Sequence, residues 1–141
     1  MTIISIAKNC EFSNININKQ GVEKMSKNVR GLLNEFVGGL GNLGQTNESM
    51  ANAFMGLMGA AYEPKLLDLK TKELISVAIG CYNRCEYCIV YHSYKAFEAG
   101  ATKEEILEAA MVAVAFGGGP SVAYSVTLLN DCINEFQNDF K

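Results

Sequence analysis

The 141-residue sequence has no tryptophan, only two prolines and a single histidine. Scarce proline favours uninterrupted helices, because each proline removes a backbone donor and breaks the turn before it. The lone histidine confines imidazole chemistry to one position, His92. Basic clusters are also missing and the net charge is −3, which argues against nucleic acid or an anionic membrane as main partner. No apolar run approaches the roughly 20 residues of a membrane-spanning helix. The opening Met1-Thr2-Ile3-Ile4-Ser5-Ile6-Ala7 is short and lacks a basic start, so no signal peptide is expected. Five cysteines leave one thiol unmatched in a chain large for a disulfide scaffold, and the expected compartment is a reducing cytoplasm.

What is present is mostly helical pattern. Residues 1–26, with Asn9, Asn14, Asn16, Asn18, Lys19 and Gln20, are polar and aperiodic and read as a tail or arm. Within them Ile4, Ile6, Ile15 and Ile17 could form a short strand or cover a neighbouring subunit. Residues 27–141 read as one domain, a length able to bury a real core.

Val29, Leu32, Leu33, Phe36, Val37 and Leu40 form a first apolar stripe, which Gly38, Gly39, Gly41 and Gly44 are expected to end. Met50, Ala53, Phe54, Leu57, Met58 and Ala61 form a second, ended by Pro64. Leu74, Ile75, Ala78, Ile79 and Tyr82 form a third. Cys85, Cys88, Ile89, His92 and Ala96 share the face of a fourth, which stops at Gly100. Thr102 and Glu105 stand in capping-box register and start a fifth, with Ile106, Ala109, Ala110, Ala113 and Val114 inward. Pro120 opens a sixth, striped by Val122, Val126, Leu129, Ile133 and Phe136. No run alternates at period two, so the expected fold is all-α, a bundle of five to six main helices. These apolar faces exceed what one small bundle can bury, which points to a homo-oligomer.

The chemistry concentrates in Cys85-Glu86-Tyr87-Cys88-Ile89-Val90-Tyr91-His92. On a helix, Cys85, Cys88 and His92 fall at i, i+3 and i+7 and share a face. At roughly 1.5 Å of rise per residue, His92 is one turn from Cys88 and about 10 Å along the axis from Cys85. An imidazole one turn from a thiol can take its proton, and the thiolate is the reactive form. A second thiol within disulfide reach can resolve whatever the first one forms.

Other readings fit fewer of these residues. Cysteine is often a small buried hydrophobe, and Cys10, Cys81 and Cys132, without a partner pattern, are read that way. Cys81, Cys85, Cys88 and His92 are ligand types suited to zinc, but structural zinc sites bring separated ligand pairs together across a loop. Cys81-x3-Cys85-x-Tyr87-Cys88 also has the spacing of an iron–sulfur motif of radical enzymes, which belongs on a loop of a large α/β barrel. No metal and no cofactor is therefore expected. Gly117-Gly118-Gly119-Pro120 lacks the Lys and Ser/Thr of a phosphate loop and reads as a tight turn. Glu73, taken alone, reads as a carboxylate in the first turn of a helix, complementing its dipole.

Three segments together carry a family resemblance: Leu69-Lys70-Thr71-Lys72-Glu73-Leu74-Ile75, the Cys85–His92 stretch, and Ala99-Gly100-Ala101-Thr102-Lys103-Glu104-Glu105-Ile106. Over roughly residues 50–120 the chain resembles the alkyl hydroperoxidase D-like branch of the carboxymuconolactone decarboxylase superfamily. The pattern of Glu, eleven residues, CxxC, three residues, His carries most of that likeness. The resemblance implies an all-helical oligomer, such as a trimer or hexamer, that reduces hydroperoxides with a cysteine pair. It puts the relay glutamate at Glu73, the redox cysteines at Cys85 and Cys88, and the proton-handling histidine at His92. Tyr87 stands where the better-studied peroxidases carry a second histidine, and with a pKa near ~10 a phenol is a poor base at neutral pH.

The expected mechanism starts from His92, backed by Glu73, lowering the pKa of Cys88 below the ~8.5 of a free thiol. Cys88 then attacks the peroxide, Cys85 condenses with the sulfenic acid, and an external dithiol, protein or lipoyl, reduces the pair at Cys85. A disulfide-exchange or assembly protein without peroxidase activity is the alternative. Lactone decarboxylation, the chemistry of the sister branch, does not need the cysteines.

Overall fold

The structure is a computed structural model, and it describes residues 27–140. The arm expected over residues 1–26, with Cys10, lies outside them. Among the described residues six helices follow one another: α1 Val29–Thr46, α2 Glu48–Tyr62, α3 Leu69–Asn83, α4 Glu86–Glu98, α5 Lys103–Val126 and α6 Leu128–Phe136. No strand occurs among them, and the all-α expectation holds.

Local sequence sets most boundaries. The Asn28 side chain accepts from the Gly31 amide at 2.8 Å, and that of Asp68 from Thr71 at 2.7 Å. Asn47 closes α1 and caps α2 through the Met50 amide. Thr102 and Glu105 form both halves of the capping box, at 2.8 and 3.2 Å. Each cap satisfies amides that the first helical turn leaves without partners.

The core is built where α3 packs against α4 and α5, and where α4 packs against α6. Val77, Ile89, Val90, Ile106, Leu129 and Phe136 are fully buried there. Gly80 permits the close approach of α3 to α4: a Cβ on it would stand 3.2 Å from the Ile89 amide nitrogen and 3.3 Å from Ile89 Cγ1. The turn between the two helices is made by Arg84 in the left-handed region, φ 57° and ψ 35°. Non-glycine residues adopt that conformation at some cost, and here it lets α4 begin directly after the α3 cap.

Several stripes differ from expectation. α1 does not end at its glycines but runs through them to Thr46. α2 buries none of its residues. On α3 the buried positions are Glu73, Val77, Gly80 and Cys81, whereas Ile75, Ile79 and Tyr82 are exposed. The α3 stripe is therefore split: Leu74 and Ala78 pack against the core beside Glu73, Val77, Gly80 and Cys81, and the rest of it faces out.

α5 and α6 also divide differently. By length and composition α5 is long and apolar enough to cross a membrane, against the expectation that no stretch is; 22% of its most apolar window is buried, and Gly118, at φ 58° and ψ −142°, breaks it. The second break comes at Thr127, φ −113° and ψ −90°, so Pro120 and Phe136 do not share one helix. That break rephases the stripe. Leu129, Ile133 and Phe136 are buried as expected, but Val122 and Val126 are exposed and Ser121 and Ser125 face the core instead.

Candidate active site

The site lies where α3 and α4 meet. Cys85 is not inside α4 but is its N-cap residue, in extended conformation at φ −89° and ψ 100°, and its Sγ accepts from the Cys88 amide at 3.3 Å. Cys88 sits in the first turn, and the two are joined by a disulfide with Cα atoms 5.2 Å apart. Both residues are half-buried. The expectation that all three residues lie within one helix is corrected for Cys85 alone. An N-cap sulfur gains from the amides and positive end of the helix.

Four residues past Cys88, about one turn, stands His92. Its Nδ1 is 2.7 Å from Oε2 of Glu73, with side chains 13% and 4% exposed. A carboxylate only accepts, so Nδ1–H donates and Nε2 is left for other protons. Glu73 thus does not sit in the first turn of α3, which holds no acid, and it does not serve the helix dipole. The expected meeting of Glu73 with the cysteine helix, at His92, is what the structure contains.

Sequence reasoning missed Tyr62. Its ring lies parallel to the His92 imidazole, centroids 5.7 Å apart and planes 9° apart. Tyr91 meets the same imidazole edge-on at 5.2 Å. A cavity of about 380 Å³ opens here, lined among others by Met58, Tyr62, Leu69, Tyr91, His92 and Lys95. Nothing in the α2 pattern marked Tyr62 beyond its aromatic type, because its partner lies on α4.

Tyr87 points elsewhere. Its ring stacks on Phe36 of α1 at 6.1 Å, and a hydrogen bond with Glu35 holds its phenol above the usual range. Such a group keeps its proton at neutral pH. The other two described thiols, Cys81 and Cys132, are buried. Burial pushes Cys81 up, partly offset by a hydrogen bond with Ser125. Cys132 is pushed up to about 12, chiefly by burial and then by Asp131 and Cys81. Cys81 is fully buried on α3 and does not join Cys85, Cys88 and His92 in a ligand set; among the described residues no three metal-binding side chains converge.

Comparison with known proteins fits this arrangement. Residues 48–131 match the carboxymuconolactone decarboxylase family. An uncharacterised protein of Cupriavidus necator is 33% identical over 101 residues, covering 72% of this chain and 89% of its own. A carboxymuconolactone decarboxylase family protein of Legionella pneumophila superposes with a TM-score of 0.74 at 33% identity, covering 78% of this chain and 97% of its own. A family member from Thermotoga maritima, suggested to take part in an antioxidative response, gives a TM-score of 0.62 at 31% identity, covering 76% and 94% of the two chains.

Proposed function

We propose that this chain, which belongs to the carboxymuconolactone decarboxylase family, is a thiol-dependent peroxidase working through Cys85 and Cys88. The observation that carries the reading is the cysteine pair at the start of α4, with the Glu73-backed His92 one turn beyond Cys88. The antioxidative role suggested for the Thermotoga relative points the same way.

In the reduced protein His92 Nε2 takes the Cys88 proton, directly or through one water. The Cys88 thiolate attacks one peroxide oxygen, an S–O bond forms and the O–O bond breaks. The departing alkoxide takes the proton held by His92 and leaves as alcohol. The Cys85 thiol then attacks the sulfenic sulfur, forming the S–S bond and releasing water. An external dithiol attacks Cys85, Cys88 leaves, and the second thiol of the reductant completes the exchange. The sum is hydroperoxide plus dithiol giving alcohol, water and a disulfide.

A peroxide-consumption assay with a dithiol reductant tests this. Wild type is expected to turn over, and Cys88→Ser to fall to the uncatalysed rate. A second reading, disulfide exchange without peroxide reduction, is favoured by the N-cap position of Cys85 and by the engagement of Tyr87 with Phe36 and Glu35. It takes over if the pair cycles with a dithiol while peroxide stays untouched.

A further inference from the structure

The geometry points to Tyr62 as the positioning residue of the site, holding the His92 imidazole in the plane from which it serves Cys88. The inference rests on the proposed role of His92 toward that thiol. The tyrosine is delivered by a helix with no buried residue of its own, so the core does not place it.

The last turn of α2 is instead fastened to α3. Lys72 Nζ donates to the carbonyls of Ala61 and Glu63, each at 2.7 Å, and so caps the C-terminal end of α2. The Tyr62 hydroxyl bonds with Ser76 Oγ, which itself donates to the Lys72 carbonyl at 2.9 Å. Lys72 and Ser76 are one turn apart on α3 and flank Glu73 in sequence. One turn of α3 thus supplies both the carboxylate that fixes His92 Nδ1 and the anchors that fix the ring stacked on its face.

A hydrogen bond to Nδ1 alone leaves an imidazole free to tilt about that contact. A parallel ring at 5.7 Å restricts that tilt from the face while Tyr91 bounds the edge, and both separations lie within the range of favourable aromatic pairs. Burial of the phenol raises the Tyr62 hydroxyl, with the Ser76 bond working in the opposite direction, so it stays protonated and contributes its ring and not a charge.

His92 is the only histidine of the chain, so its ring protons report on the site without assignment ambiguity. The test compares wild type, Tyr62→Phe and Tyr62→Leu after phosphine reduction, following iodoacetamide alkylation of Cys88 at pH 7 by peptide mass spectrometry. Tyr62→Leu is expected to slow alkylation roughly tenfold, less than the ~10²-fold of losing positioned proton transfer outright, because Glu73 still holds His92. The His92 signals should lose their ring-current displacement at the same time. Tyr62→Phe keeps the stacked face and the Lys72 anchors and loses only the Ser76 bond, so it is expected to slow alkylation less than Tyr62→Leu does. Wild-type alkylation in Tyr62→Leu, or an equal loss in the Phe variant, would overturn the inference. If Tyr62→Leu does not fold, the wild type still decides. Nuclear Overhauser contacts between the His92 and Tyr62 rings are required, and their absence overturns the assignment. Alkylation needs no peroxide, so the outcome stands apart from peroxidase activity: slowed alkylation in a protein that spares peroxide keeps this inference and removes the peroxidase.

Discussion

Nδ1 of His92 and Oε2 of Glu73 meet at 2.7 Å across the α3–α4 contact, 19 residues apart in sequence. Glu73 is the one charged side chain facing the core among the described residues, and its partner is the one histidine of the chain. Buried ionisable groups persist only when paired, so each depends on the other. Glu73→Gln keeps an acceptor for Nδ1–H and is expected to change stability by only about 1 kcal/mol. Glu73→Ala leaves the imidazole donor unpaired and should cost roughly 1–3 kcal/mol. Both should lower peroxide turnover by roughly 10²-fold. Urea unfolding beside the activity assay measures the split; full activity in Glu73→Gln would remove Glu73 from the mechanism.

The thiol roles separate by sulfenic acid trapping. His92 is one turn from Cys88, whereas the helix end favours Cys85 as a thiolate. A dimedone-type probe is expected to label Cys88 in Cys85→Ser after a peroxide pulse. Labelling of Cys85 alone, in Cys88→Ser, would reverse the assignment. Cys81 and Cys132, both fully buried, should react with maleimide only after denaturation.

The α3–α4 corner carries two opposite expectations. Gly80→Val drives a branched side chain into Ile89 and should destabilise by about 1–3 kcal/mol while displacing the first turn of α4. Arg84→Gly relieves the left-handed conformation and should stabilise by about 1 kcal/mol. Thermal melts of both variants check the pair.

Acid sensitivity follows from two caps. The Lys70 hydrogen bond, and then the Thr102 amide, hold the Glu105 carboxyl below its ordinary range. The Thr71 hydroxyl and then its amide do the same for Asp68. A lowered folded pKa gives stability that is complete above the unfolded value, about 4.3 for Glu and 3.9 for Asp, and lost as pH falls through the folded one. The Tm gap between wild type and Glu105→Gln should be present at pH 7 and shrink below about pH 4. Thr102→Ala should cost about 1 kcal/mol at pH 7.

A homo-oligomer is the expected assembly. Phe116 is 81% exposed, Leu57 65% and Met55 57%, and such faces are normally covered by another chain. Light scattering at micromolar concentration should give a mass of several subunits, and a species near the 15.3 kDa of one chain would contradict this.

By itself the sequence determined what operates within one helix. The Thr102–Glu105 box, the stop before Pro64, the CxxC pair and the one-turn spacing of His92 are local relations, and the structure keeps them. The likeness to a known family added Glu73, which local rules placed at a helix end. Tertiary structure decided the rest. Periodicity finds an apolar face but not what the face meets, so it does not reveal the exposure of Ile75, Ile79 and Tyr82 on α3 or the burial of Ser121 and Ser125 on α5. Breaks at Gly118 and Thr127 rephased the last stripes, because a few dihedrals turn every later side chain to a new direction. Tyr62 against His92 was invisible in the chain for the same reason: two residues thirty positions apart become neighbours only when α2 and α4 are both fastened to α3.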